Sequence, residues 1–249
     1  MNTAEENKVA IVTGSSRGIG AAIAKRMAAD GIAVIVNYTH NADAADTVVK
    51  EIEAKAGQAM AIQADVSVPT QVATMFDQAT EFYGGVDILV NNAGIMQPGL
   101  TSLVETDDVL FDKILAVNFK GTFNTLRIAA GQLRDEGRIV NFSSSICKLA
   151  MPGYSIYAAT KSAVETMTNI FAKELRGRNI TVNAIAPGPT ATDLFLKNKT
   201  DEQIEHMAKM PPLERLGQPE DIANAVAFLV GPDAGWVNGQ TIYVNGGIV

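Results

Sequence analysis

The segment that most constrains the fold lies near the start of the chain. Residues 8–13 (KVAIVT) form a short apolar run rich in β-branched side chains, the pattern of a buried strand. The run passes without a break into Gly14-Ser15-Ser16-Arg17-Gly18-Ile19-Gly20, and then into an alanine-rich helical pattern over residues 21–30. Strand, glycine turn and helix in that order suit a phosphate-binding turn. Glycines let the backbone bend tightly and approach a ligand, and a helix N-terminus offers unpaired N–H groups to a pyrophosphate. The spacing is G-x-x-x-G-x-G, and the residues expected to touch a dinucleotide here are Gly14, Ser16, Arg17, Gly18, Ile19 and Gly20.

The rest of the chain supplies more of the same unit. Strand patterns recur at residues 33–37 (AVIVN), 59–63 (AMAIQ), 86–90 (VDILV), 137–143 (GRIVNFS), 180–186 (ITVNAIA) and 240–244 (QTIYV). Helical patterns separate them at 42–56, 69–83, 106–134, 154–176 and 218–230, with Pro69 and Pro219 at helix starts. Inside 106–134, Asn118 and Gly121 are weak helix formers, which marks a bend where backbone groups come free. The alternation runs from end to end with no linker or repeat. The expected fold is α/β, one doubly wound domain over residues 1–249 with a parallel sheet of about seven strands flanked by helices. Residues 193–212 read as a helical lid with an apolar face of Leu194, Phe195, Leu196, Met207 and Met210.

Composition excludes several classes. Apolar residues make up 47% and charged residues 19% of 249 positions, which suits a large globular core. The formal charge is −7 and no Lys/Arg block occurs, so neither nucleic acid nor an anionic membrane is an expected partner. Cys147 is the single cysteine, so no intrachain disulfide forms, and neither histidine has a partner at metal-ligand spacing, so no metal site is expected. Residues 1–7 are polar and acidic, unlike a signal peptide, and no apolar run reaches the ~18–20 residues of a membrane span. A soluble cytoplasmic protein is the expectation.

The candidate chemistry centres on Tyr157-Ala158-Ala159-Thr160-Lys161. Positions i and i+4 of a helix share a face, so the phenol and the ammonium point into the same space. A free phenol titrates near ~10, and the cation is expected to lower that value toward the range of a general acid/base. Ser144, within Ser143-Ser144-Ser145, offers a hydroxyl to the same substrate oxygen.

Cofactor choice turns on the end of the second strand. An acid there would accept hydrogen bonds from a ribose 2′-OH and repel a 2′-phosphate. The sequence has Asn37-Tyr38-Thr39 instead, with Arg17 in the glycine turn; a neutral hydrogen-bonding set plus an arginine suits a 2′-phosphate, so NADP(H) is expected over NAD(H). Asp65-Val66 follows the third strand, where the acid could cap the adenine end of a nucleotide or the next helix. Asn92, Ala93 and Gly94 end the fourth strand and let a cofactor lie against the backbone. The substrate is expected to be a mainly apolar ketone. It would enter between Ser144, Ser145 and Ile146, Ile95 and Met96, Tyr154, and the lid around Leu194, Phe195 and Met207.

Thr13-Gly14-x-x-x-Gly18-x-Gly20, Asn91-Asn92-Ala93-Gly94, Asn118, Ser144, Tyr157-x-x-x-Lys161 and Pro187-Gly188 stand in one order. Together they resemble the short-chain dehydrogenase/reductase family over essentially the whole chain. The resemblance implies a Rossmann-type domain, usually in a homotetramer. It implies that Tyr157 is the general acid in carbonyl reduction and the base in alcohol oxidation. Lys161 would hold the nicotinamide ribose and lower the phenol pKa, Ser144 would orient the carbonyl, and Asn118 would hold a water in a proton relay. Pro187, Gly188, Thr190 and Thr192 would join the cofactor contacts. Similar chains include 3-oxoacyl-carrier-protein reductases, glucose dehydrogenases and reductases of polycyclic ketones, and no motif here picks among them. A catalytically idle dinucleotide-binding regulator is the competing reading; the intact Ser144, Tyr157 and Lys161 argue against it.

Overall fold

A computed structural model describes residues 8–197 and 199–249. The reading of residues 1–7 as free of a targeting segment lies outside the described residues, as does position 198 of the lid.

The chain runs β1 (Val9–Val12), α1 (Gly18–Ala29), β2 (Ala33–Tyr38), α2 (Ala42–Glu53), β3 (Ala59–Gln63), α3 (Pro69–Tyr83) and β4 (Val86–Asn91). There follow α4 (Asp108–Ile114), α5 (Gly121–Gln132), β5 (Leu133–Phe142), α6 (Ile146–Leu149), α7 (Ser155–Glu174) and β6 (Thr181–Pro187). The last elements are α8 (Asp193–Leu196), α9 (Asp201–Lys209), α10 (Pro219–Val230) and β7 (Thr241–Val244). The seven strands form one sheet in the order β3-β2-β1-β4-β5-β6-β7, every neighbouring pair parallel. The order reverses between β1 and β4, the switch point at which open α/β sheets bind ligands.

Each strand alternates its side chains between two cores. Ala10 and Val12 of β1 face Ile23 and Met27 of α1 and Val226 of α10, whereas Ile11 faces Val72 and Phe76 of α3 and Leu126 of α5. Both faces are covered, which is why the strands read as continuous apolar runs. No helix among the described residues is long and apolar enough to cross a membrane.

The stretch expected as one helix over 106–134 is broken. A 3-10 turn at Leu103–Glu105 precedes α4, a π-helical segment at Leu115–Lys120 holds Asn118, and α5 then begins at Gly121. A Cβ on Gly121 would lie 2.6 Å from Val66 Cγ2, so the glycine lets α5 close on the β3–α3 loop. β5 starts at Leu133, earlier than expected, because Leu133 pairs with Val86 before the register shifts ahead of Ile88. The segment expected as a lid holds α8 and α9, and Thr200 and Gln203 cap each other's backbone at the start of α9.

Candidate active site

The glycine turn is assembled by three strand ends. Gly14 and Gly18 have φ of +62° and +56°, which favour glycine. A Cβ on Gly20 would sit 2.6 Å from Gly14 O and 2.5 Å from Asn92 Nδ2, so that position has no room for a side chain. Asn92 Nδ2 donates to the carbonyls of Thr13 (2.9 Å) and Gly14 (3.1 Å), and Ala93 N donates to Thr13 Oγ1 (3.0 Å). Arg17 at the N-cap of α1 makes no side-chain cap hydrogen bond, which leaves the first N–H groups of the helix for an anion. These features fit the pyrophosphate of a dinucleotide.

One expectation for this region changes, that for Asn37, and the neighbouring candidates Asp65, Val66 and Arg17 have partners or positions of their own. Asn37 is 1% exposed, its Oδ1 accepts from Gly14 N at 3.0 Å, and its Nδ2 donates to the carbonyls of Ala64 (3.0 Å) and Ile62 (3.3 Å). Its amide braces the glycine turn and has no donor left for a 2′-phosphate; Tyr38 and Thr39 are the half-exposed groups at this strand end. Asp65 Oδ1 accepts from Ser67 N (2.9 Å) and Ser67 Oγ (2.7 Å), and Val66 is buried with its carbonyl on Asn124 Nδ2, so both shape the loop before α3. Arg17 extends into a cavity on the lid side, which it shares with Lys197 and His206.

Ser144, Tyr157 and Lys161 line one cavity of about 170 Å³ at the C-terminal end of the sheet. β5 delivers Ser144, and the first two turns of α7 carry Tyr157 and Lys161. The Ser144 hydroxyl and the Tyr157 phenol share the cavity wall. Burial pushes that phenol up to about 12, although the neighbouring Ser144 hydroxyl favours the phenolate. Burial outweighs the lowering expected of Lys161. Lys161 is 4% exposed, its Nζ donates to Phe142 O at 2.8 Å, and it stands 5.8 Å from the Tyr157 ring centre. Burial pushes Lys161 itself down to about 8. The site therefore holds an enclosed phenol that keeps its proton beside a weakly held ammonium proton.

Asn118 is fully buried behind this cavity rather than on its wall. Its Oδ1 accepts from Ile95 N (2.8 Å) and its Nδ2 donates to Ile95 O (2.9 Å). It fixes the loop after β4, including Gly94, where a Cβ would stand 3.4 Å from both Asn118 Oδ1 and Lys161 Nζ.

The cavity wall also takes in Ile19, Asn92, Gly94, Met96, Ile146 and Tyr154, and from the lid side Thr192, Leu194, Phe195 and Met207. Pro187, Gly188 and Thr190 close its far side. Ser145 borders it too, but its hydroxyl donates to Ala186 O (3.2 Å) and accepts from Asn245 Nδ2 (3.0 Å), so it braces β6 and the C-terminal loop instead of meeting a substrate. Phe142, Leu149 and Met151 were not anticipated from sequence. Their only signal was adjacency to the serine run and to Pro152-Gly153.

Residues 14–249 match the family model described as enoyl-(acyl carrier protein) reductase. The chain is 45% identical over 254 residues to an NADPH-dependent aldehyde reductase-like chloroplastic protein of Arabidopsis thaliana, covering 97% of this chain and 94% of that one. It is 41% identical over 244 residues to the 3-oxoacyl-[acyl-carrier-protein] reductase FabG of Staphylococcus epidermidis, covering 97% and 99%. A solved short-chain dehydrogenase of Burkholderia cenocepacia, in complex with NADP, superposes with a TM-score of 0.91 at 40% identity and 97% coverage of each chain. The likeness extends from the glycine turn to the last strand, and the chain belongs to the short-chain dehydrogenase/reductase family.

Proposed function

We propose that the protein is an NADP(H)-dependent oxidoreductase that interconverts a mainly apolar ketone or aldehyde and its alcohol. The observation that carries this reading is the placing of the Tyr157 phenol, the Ser144 hydroxyl and Lys161 together on the wall of a cavity lined by Met96, Ile146, Leu194, Phe195 and Met207. Family membership supports the reaction class. The NADP-bound Burkholderia structure and the NADPH-dependent Arabidopsis relative support the cofactor, as does the lack of an acid at the end of β2. The bound nicotinamide would supply or accept the hydride at the carbonyl carbon. Gly14, Gly18 and Gly20 with the α1 N-terminus would hold the pyrophosphate, Ala93 and Gly94 would let the cofactor lie on the backbone, and Lys161 would reach its ribose.

The protein's own share is to handle charge and a proton. As the carbonyl oxygen gains negative charge, the Ser144 and Tyr157 hydroxyls stabilise it from fixed positions, and Tyr157 gives up its proton to that oxygen. A phenol near 12 holds that proton until the oxygen becomes basic enough to take it. Lys161, held near 8, then stabilises the phenolate left behind. Apolar side chains above the site keep water from competing for these groups. In this reading α8 and α9 are the lid, and the chain works as a homotetramer.

The test is NADPH oxidation with apolar ketones and aldehydes, a 3-oxoacyl thioester, an enoyl thioester and free sugars. The expected result is turnover of apolar carbonyls, with a higher kcat/KM for NADPH than for NADH. Turnover of sugars alone, or equal use of NADH, would contradict it. The likeness to the Staphylococcus reductase gives a second reading, a 3-oxoacyl-[acyl-carrier-protein] reductase, which predicts that the 3-oxoacyl thioester outruns every other substrate.

A further inference from the structure

Outside the catalytic cavity lies a second, larger one of about 630 Å³, and Met96, Met151, Tyr154, Leu194 and Met207 border both. Gln97 stands on the wall of the outer cavity and is 5% exposed. Its Nε2 donates to Gly153 O at 2.6 Å. That carbonyl also accepts from Thr101 N at 3.3 Å, and a Cβ on Gly153 would come 2.9 Å from Leu100 Cβ, so the acceptor is pinned from two sides. Gln97 Oε1 is shut from solvent and has no hydrogen-bond partner among the described residues. The two ends of the amide cannot be exchanged, because an oxygen 2.6 Å from the Gly153 carbonyl would be repelled.

Buried acceptors in folded proteins are almost always paired, and an unpaired one is costly. A methionine of nearly the same volume would pack against the same apolar neighbours without that cost. Gln97 lines a cavity that shares wall residues with the catalytic one, and its orphan acceptor has a direct use when a ligand brings the missing donor. We propose that Gln97 is a specificity-determining residue, and that the substrate class is a carbonyl compound bearing an O–H or N–H donor beyond its reacting carbonyl. The donor would approach from the outer cavity, and a small rotation of the Gln97 side chain about its Gly153 anchor would present Oε1 to it. The chemistry distinguishes a hydroxyl from its methyl ether, which keeps an acceptor oxygen but cannot donate.

This inference rests on the carbonyl reductase reading, and the two fail differently. The probes are phenyl alkanones of graded chain length, each as the parent, the ring-hydroxylated compound and its methyl ether, with NADPH oxidation as readout. In the wild-type protein the hydroxylated member at the best-fitting length should exceed both its ether and its parent in kcat/KM by about tenfold, the worth of one neutral hydrogen bond made in place of an orphan. Gln97→Met should bring hydroxyl and ether to equal kcat/KM, acting mainly through KM. If the parents are reduced but no hydroxylated member outruns its ether in the wild type, the Gln97 inference is wrong and the carbonyl reductase reading stands. If the preference exists and survives in Gln97→Met, another group supplies it and the inference is likewise wrong. If none of the ketones is reduced, the carbonyl reductase reading itself falls. Where Gln97→Met fails to fold, absence of the hydroxyl preference in the wild type still overturns the inference.

Discussion

Lys161 and Tyr157 are set by burial more than by each other. The ammonium rests on the Phe142 carbonyl with its pKa pushed down to about 8, and the phenol is pushed up to about 12. A cation is present on Lys161 below about 8 and is lost as pH rises through it. The phenol stays protonated across that whole range. The pH profile of kcat/KM for reduction, which reports groups of the free enzyme, should therefore fall with rising pH through about 8, roughly tenfold per unit when one charge is required. A profile flat to pH 10 would show that the Lys161 charge is not needed. The spacing Tyr157-x-x-x-Lys161 disclosed that the two side chains share a helix face, but not the direction of either shift. That direction depends on how much chain from elsewhere covers them. Asn37 and Ser145 were misread for a related reason. Their polar atoms are taken by Gly14, Ile62 and Ala64 in one case and by Ala186 and Asn245 in the other, partners brought near only by the folded sheet.

At the scale of elements, strands were legible because both sheet faces are buried, so each strand is an unbroken β-branched run. The first helices were legible from glycine and proline punctuation. The π-helical segment at Leu115–Lys120 was not, since Asn118 and Gly121 forecast a bend without its kind. Its cause is tertiary: the bulged turn carries Asn118 to both backbone groups of Ile95. Asn118→Ala should leave Ile95 N and O without these partners in a half-buried place and lower unfolding stability by about 1 kcal/mol. It should also weaken NADPH binding, because Gly94 and Ile95 would lose their fixed position beside the cavity. Urea unfolding and NADPH fluorescence titration on the same preparation check both; unchanged stability would contradict the bracing role.

On the scale of the molecule, one sheet edge and several helices keep apolar groups in solvent. Trp236 is 99% exposed, and Phe228 and Ile242 beside the β7 edge are open as well. Phe111 of α4, Phe123 of α5 and Ile170 of α7 are among the other exposed apolar side chains. An edge strand with apolar neighbours is a ready surface for a second copy, and large exposed patches of this sort mark interfaces. We expect light scattering at micromolar concentration to give a tetramer mass, and a monomer mass would contradict the proposed assembly. Trp236 and Tyr243 are aromatic residues of the kind enriched at interfaces. Tyr243 itself turned out to be partly enclosed, its hydroxyl 3.4 Å from Glu165 Oε1 and Lys148 Nζ 3.9 Å from its ring centre.

The most direct test of the central claim is Tyr157→Phe, which removes one hydroxyl and little volume. Turnover of a ketone that the wild type reduces should fall by at least ~10²-fold, the lower end for a general acid/base group, while NADPH fluorescence titration stays near the wild-type value. Retention of more than about a tenth of wild-type turnover, with NADPH still bound, would contradict the assignment of Tyr157 as the proton donor.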